Sequence, residues 1–158
     1  MAAASPVAVG DPAPPFRLPD QHGDERTLDE FAGRPVLLYF YPKALTPGCT
    51  TQSCELRDVA GQVGDAQIVG VSPDPPERQA KFDEKYGLGF PLLADVDHAM
   101  AEAYGVWGEK KLYGRSFLGV IRSAFLIDRE SRIAAAFGKI SPKDTPKKLL
   151  QALGTLDG

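Results

Sequence analysis

Residues 36–41, Val-Leu-Leu-Tyr-Phe-Tyr, form an unbroken apolar run stopped by Pro42. A run this short, without polar alternation, predicts a strand buried on both faces, as in sheets covered by helices on either side. Residues 67–72, Gln-Ile-Val-Gly-Val-Ser, repeat the signal. Between them, residues 49–63 carry Leu56, Val59, Ala60 and Val63 at helical spacing, which predicts an amphipathic helix with those four facing inward. A second helix is expected over 75–86, with Asp74 as its cap, Pro75 in first position and Gly87 as terminator. A short strand at 90–94, a short helix at 98–104, a strand pair at 123–128 and 133–137, and a helix at 145–153 follow. Ahead of them all, Phe16-Arg17-Leu18 and Thr27-Leu28 flank the turn Gln21-His22-Gly23-Asp24. That is a small N-terminal β-hairpin, followed by one helical turn at 28–31. Alternating strands and helices, then an antiparallel pair and a helix, predict an α/β three-layer sandwich with a mixed central sheet flanked by helices.

Bulk properties narrow the function. The 158 residues fit one domain, expected over 9–158, after a leader at 1–8 that reads as disordered. A net charge of −3 argues against a nucleic-acid partner, which usually meets a basic patch. No apolar run approaches the roughly 20 residues of a membrane span. The first ten residues lack Lys and Arg, so they do not resemble a secretory signal, and a cytoplasmic protein is expected. In a reducing compartment a structural disulfide is rare. The two cysteines, Cys49 and Cys54, therefore call for another explanation.

They lie in Tyr39-Phe-Tyr-Pro-Lys-Ala-Leu-Thr-Pro-Gly-Cys49-Thr-Thr-Gln-Ser-Cys54, a strand, a loop and a helix start. Thr46 suits an N-cap and Pro47 the first helical position. Cys49 then sits in the first turn, where unpaired N–H groups and the helix dipole favour the thiolate, the nucleophilic form. Five residues of helix turn through about 140° and rise about 7.5 Å. The two Cα atoms would lie roughly 8–9 Å apart, beyond the ~7 Å limit for a disulfide. The same rotation places Cys49 on the Leu56 side and turns Cys54 outward. Two unrelated buried cysteines are the plainer alternative, but Cys54 is off the apolar stripe. A zinc site would need closer cysteine pairs and further ligands, and His22 and His98 lie elsewhere in the pattern. A thioredoxin-type redox pair would have two intervening residues, not four.

Pro42, Thr46 and Cys49 match the signature of the peroxiredoxins: Pro, three residues, Thr, two residues, Cys. The wider string, with a second Cys five residues on, resembles the bacterioferritin comigratory protein, or peroxiredoxin Q, subfamily. The likeness extends from about residue 9 to the last helix and includes Val71-Ser72-Pro73-Asp74, Phe90-Pro91-Leu92-Leu93-Ala94-Asp95, Tyr104-Gly105-Val106 and Arg122-Ser123-Ala124-Phe125. It implies a thioredoxin-like fold, no metal or organic cofactor, a peroxide substrate, a thioredoxin or similar dithiol reductant, and a monomer or weak dimer. It also implies the roles. Cys49 is peroxidatic and Cys54 resolving, Thr46 and Arg122 hold the peroxide, and Pro42 shields the sulfur. Members often carry Asp at 44 and Glu at 52, where this chain has Ala44 and Gln52.

Arg122 has a physical argument of its own, since a charge leading into an apolar strand needs a partner. The resemblance implies that the partners are the Cys49 sulfur and the bound peroxide; an ordinary salt bridge or an edge position is the alternative. Trp107, Tyr104 and Tyr113 read as core or rim aromatics, and either Tyr41 or Lys43 as lining the mouth of the site. The implied cycle runs from sulfenic acid on Cys49 to a Cys49–Cys54 disulfide, which requires the helix start to open. A redox sensor or a chaperone-like binding protein would use the same scaffold, and turnover kinetics distinguish them from an enzyme.

Overall fold

A computed structural model describes residues 7–112 and 114–156. Its elements, in order, are β1 (Arg17–Pro19), β2 (Glu25–Thr27), a 3-10 turn (Leu28–Phe31), β3 (Val36–Phe40), α1 (Pro47–Asp58), β4 (Gln67–Ser72), α2 (Pro76–Tyr86), β5 (Leu92–Ala94), α3 (Ala99–Ala103), β6 (Trp107–Leu112), β7 (Arg115–Val120), β8 (Ser123–Ile127), β9 (Ile133–Phe137) and α4 (Asp144–Leu156). The central sheet has the order β5-β4-β3-β8-β9. β3 pairs parallel with β4 and antiparallel with β8, so the sheet is mixed as expected.

The continuous apolar character of β3 follows from its central place. Leu37, Tyr39 and the adjacent Tyr41 face a cluster with Leu56 of α1, Phe82 of α2, and Leu149 and Leu153 of α4. Val36, Leu38 and Phe40 face the opposite cluster, with Phe16, Phe31, Met100 and Tyr104. The alternation of side chains across a strand thus sends an apolar residue into a core at every position. Pairing of Phe40 with Ser123 brings the carboxyl end of β3 to the amino end of β8. The loop after β3 and the residue before β8 meet there.

Several expectations need correction. The first helix ends at Asp58, and a separate 3-10 turn covers Ala60–Gln62. Of the four residues expected on its inner face, Leu56 and Val63 are buried, whereas Val59 is half-buried and Ala60 exposed. The buried face of α1 joins Cys49 and Leu56, both expected inward, with Gln52 and Ser53, which were not. Apolar spacing missed Gln52 and Ser53 because they are polar. The cap of α2 is Pro75, one residue later than expected, with Pro76 in first position and Gly87 left-handed at φ 59.

The β6–β7 hairpin was not expected. Its residues β7 115–118 are exposed, so no buried face imposes a period of two on them. Gly114, at φ 76, is the one local signal of the turn. Residues 1–6 of the expected leader and Tyr113 lie outside the described residues. Val7 donates its N–H to the Tyr104 carbonyl at 3.3 Å.

Candidate active site

The loop after β3 carries Pro42 and Thr46, and α1 begins directly after it. Pro47 occupies the first helical position, where its missing N–H costs nothing. Thr46 is the N-cap by backbone conformation, but its hydroxyl does not cap. Thr46 Oγ1 donates to the Lys43 carbonyl at 2.8 Å, closing the loop on itself. The oxygen keeps its lone pairs for an incoming hydroxyl donor. Cys49, in the first turn, is fully buried, and both cysteines are free.

Arg122, just ahead of β8, reaches the sulfur. Its Nη2 donates to Cys49 Sγ at 3.3 Å, and its Nη1 donates to Gln52 Oε1 at 2.6 Å. Residues 73 positions apart meet because β3 and β8 run antiparallel. The half-buried guanidinium is thus held by the sulfur and the Gln52 amide, and among the described residues no carboxylate pairs with it. Gly48 makes the approach possible. A Cβ there would lie 3.2 Å from Arg122 Nη2 and 3.7 Å from Pro142 Cγ.

Gln52 was noted in the sequence only as a departure from Glu. It is fully buried and holds two elements together. While its carbonyl oxygen accepts from Arg122, its Nε2 donates to Thr145 Oγ1 of α4 at 2.9 Å. Thr145 in turn donates to the Ser141 carbonyl at 2.8 Å. The neutral amide aligns Arg122 without cancelling its charge. Next to it, Ser53 Oγ and Tyr39 OH share a hydrogen bond of 2.7 Å between α1 and β3. Tyr39 lies close over Gly70, where any Cβ would be 2.8 Å from the hydroxyl. Burial holds the Tyr39 phenol well above its ordinary range, so it serves as a neutral partner.

Cys54 is half-buried at the edge of the cluster that contains Cys49, not turned fully outward as expected. It lies five positions after Cys49 in one unbroken helix, and no disulfide joins them. Tyr41 does not line the mouth of the site. It is fully buried, stacks on Tyr39 with centroids 5.3 Å apart, and donates to Gln79. Lys43 is exposed and Pro42 half-buried.

Lys110, on the unexpected hairpin, is a further cation near the site. Its Nζ donates to the Val120 carbonyl at 2.8 Å. Burial, then the charge of Arg122, hold its ammonium below the ordinary lysine range. Beside Gly48, a groove of about 360 Å³ runs along Pro47, Thr51, Pro142 and Lys143. Trp107 stacks on His98 with centroids 3.8 Å apart, away from this chemistry.

Residues 9–136 match the AhpC/TSA family. Peroxiredoxin Bcp of Bacillus subtilis is 44% identical over 149 residues, covering 93% of this chain and 95% of the relative. A solved structure of peroxidoxin BcpB from Mycobacterium tuberculosis superimposes with a TM-score of 0.82 at 37% identity, covering 94% of this chain and 97% of that one. The bacterioferritin comigratory protein of Xanthomonas campestris, solved in work on its alkyl peroxide reduction activity, gives a TM-score of 0.83 at 34% identity over 89% and 90% of the two chains.

Proposed function

Since the chain belongs to the AhpC/TSA family, in its Bcp/peroxiredoxin Q branch, we propose that its thiol-dependent peroxidase activity runs through Cys49, with Cys54 as resolving residue and Thr46, Pro42 and Arg122 completing the site. The observation that carries this reading is the Arg122 guanidinium 3.3 Å from the Cys49 sulfur at a helix start. Hydrogen peroxide and organic hydroperoxides are the substrates. The groove beside Gly48 offers room for the organic group of the latter.

In the first step the Cys49 thiolate attacks one peroxide oxygen. The S–O bond forms as the O–O bond breaks, and the departing oxygen takes a proton to leave as water or an alcohol. Cys49 is left as sulfenic acid. Arg122 opposes the negative charge that moves from sulfur to the leaving oxygen, and the Thr46 oxygen accepts a hydrogen bond from the peroxide O–H. Pro42, with no N–H and a rigid ring, limits water at the sulfur. Cys54 then attacks the sulfenic sulfur, water leaves, and the disulfide forms once α1 has opened. A thioredoxin-type dithiol supplies two electrons by exchange, restoring both thiols.

Both cysteines belong to one helix, so a monomer or weak dimer suffices for the cycle. Residues 9–158 act as one domain, because both apolar clusters share one sheet. A reducing compartment such as the cytoplasm suits the cycle, since a dithiol reductant there returns both cysteines to thiols. Among the described residues no helix is long and apolar enough to cross a membrane.

Cysteine variants test the roles. Cys49→Ser is expected to abolish peroxide consumption. Cys54→Ser is expected to keep one round of oxidation, accumulate sulfenic acid and lose turnover with a thioredoxin system. Full steady-state turnover in Cys49→Ser would sink the assignment.

A further inference from the structure

Leu45, in the arc from Pro42 to Pro47, has φ 69. An L-residue of this size takes the left-handed backbone only where its surroundings impose it. Here the surroundings grip the preceding residue. The Ala44 N–H donates to Asp74 Oδ2 at 2.7 Å, and the Ala44 carbonyl accepts from Arg78 Nη2 at 2.9 Å. Both polar groups of one backbone residue are thus held by two side chains at the start of α2. Those side chains are fixed in turn. Arg78 Nε lies 3.1 Å from Asp74 Oδ1, Ser72 Oγ donates to Asp74 Oδ2 at 2.7 Å, and Gln79 Nε2 donates to Ser72 Oγ at 2.8 Å. Asp74, Ser72 and Gln79 are buried, and Ala44 is fully so.

We propose that Asp74 and Arg78 are positioning residues of the peroxidase: they clamp Ala44, hold Leu45 in its strained turn, and so fix Pro42 and Thr46 relative to Cys49. The inference rests on the assignment of Cys49 as the peroxide-reacting thiol. The arc joins a strand locked in the sheet to a helix that opens during the cycle. Without the clamp, Leu45 relaxes toward negative φ, and Thr46 beside it moves with it. The sulfur itself is placed by α1 and Arg122, not by the arc. Loss of the clamp therefore weakens what peroxide needs, an oriented O–O bond, more than the reactivity of the thiolate. A displacement near 1 Å can cost about 100-fold in rate.

The test uses Arg78→Ala and Arg78→Lys in the full chain, with Cys54→Ser in every sample so that Cys49 is the sole thiol. Arg78 is 37% exposed, so its replacement opens no core cavity. Two rates are compared for the reduced protein: oxidation by hydrogen peroxide, and alkylation by iodoacetamide, which needs the thiolate but no peroxide geometry. Arg78→Ala is expected to lose about 10- to 100-fold toward peroxide and to change alkylation by less than about twofold. Arg78→Lys, which can still donate to Ala44, is expected to recover most of the peroxide rate. A peroxide rate for Arg78→Ala equal to the parent's, or an equal fall in both reactions, would overturn the clamp. Were the parent inert toward peroxide, the assignment of Cys49 would fall, and the clamp with it.

Discussion

Ser53→Ala removes one end of the 2.7 Å hydrogen bond that ties α1 to Tyr39 of β3. Ser53 lies between the two cysteines, so any opening that joins them also breaks this bond. In the parent, the closed helix has the bond and the open one has lost it. In the variant, the closed helix leaves the Tyr39 hydroxyl buried without its partner, whereas opening lets water reach it. Leaving a buried hydroxyl unpaired costs about 1–3 kcal/mol. The better helix propensity of alanine offsets about 0.5 kcal/mol of that. The closed state should therefore lose about 0.5–2.5 kcal/mol relative to the open one, a roughly 2- to 70-fold larger opening constant.

If opening precedes bond formation, disulfide formation from the sulfenic acid speeds up by up to that factor. Thermal stability of the reduced protein should fall by about 1–10 °C. The assay mixes reduced protein with one equivalent of peroxide, quenches with an alkylating agent at intervals, and follows the disulfide fraction by mass spectrometry. Amide exchange over residues 49–56 should accelerate in parallel. A lowered melting temperature with an unchanged rate of disulfide formation would refute the reasoning. It would show that the two sulfurs meet without Ser53 leaving Tyr39.

Gly48→Ala places a Cβ 3.2 Å from Arg122 Nη2, so the guanidinium must shift by a few tenths of an ångström. Its peroxide rate should fall between those of the parent and Arg122→Ala, as stopped-flow oxidation would show. Gln52→Ala removes partners from both Arg122 and Thr145 and should cost about 1–3 kcal/mol of stability as well as slowing peroxide oxidation, measured by urea unfolding and the same rate assay. Burial raises the phenols of Tyr39, Tyr41 and Tyr104 above the ordinary 10.0. Above that pH the unfolded chain releases protons that the folded one keeps, so stability falls as pH rises. Their contribution is intact below pH 10 and erodes above it by about 1.4 kcal/mol per pH unit for each tyrosine. Urea unfolding at stepped alkaline pH, with tyrosinate absorbance, would check this, and flat stability above pH 10 would contradict it.

The sequence alone determined the layered α/β order, because the runs at 36–41 and 67–72 can only be satisfied by covering both faces of a sheet. It also determined where Cys49 sits: a strand, a Pro-bounded loop and a helix start put a thiol in the first turn of a helix, where backbone N–H groups are unpaired. Tertiary structure decided which distant groups complete that site. Arg122 meets the sulfur because β8 runs antiparallel to β3 and begins where β3 ends. Gln52 and Ser53 were missed as inward residues because hydrophobic spacing marks only apolar burial. These two are buried by the hydrogen bonds they make to Arg122, Thr145 and Tyr39. The same limit hid the grip of Asp74 and Arg78 on Ala44 and the hairpin that carries Lys110. Local pattern records the cost of exposing apolar surface. A polar contact between residues far apart in the chain exists only once the sheet has set their positions.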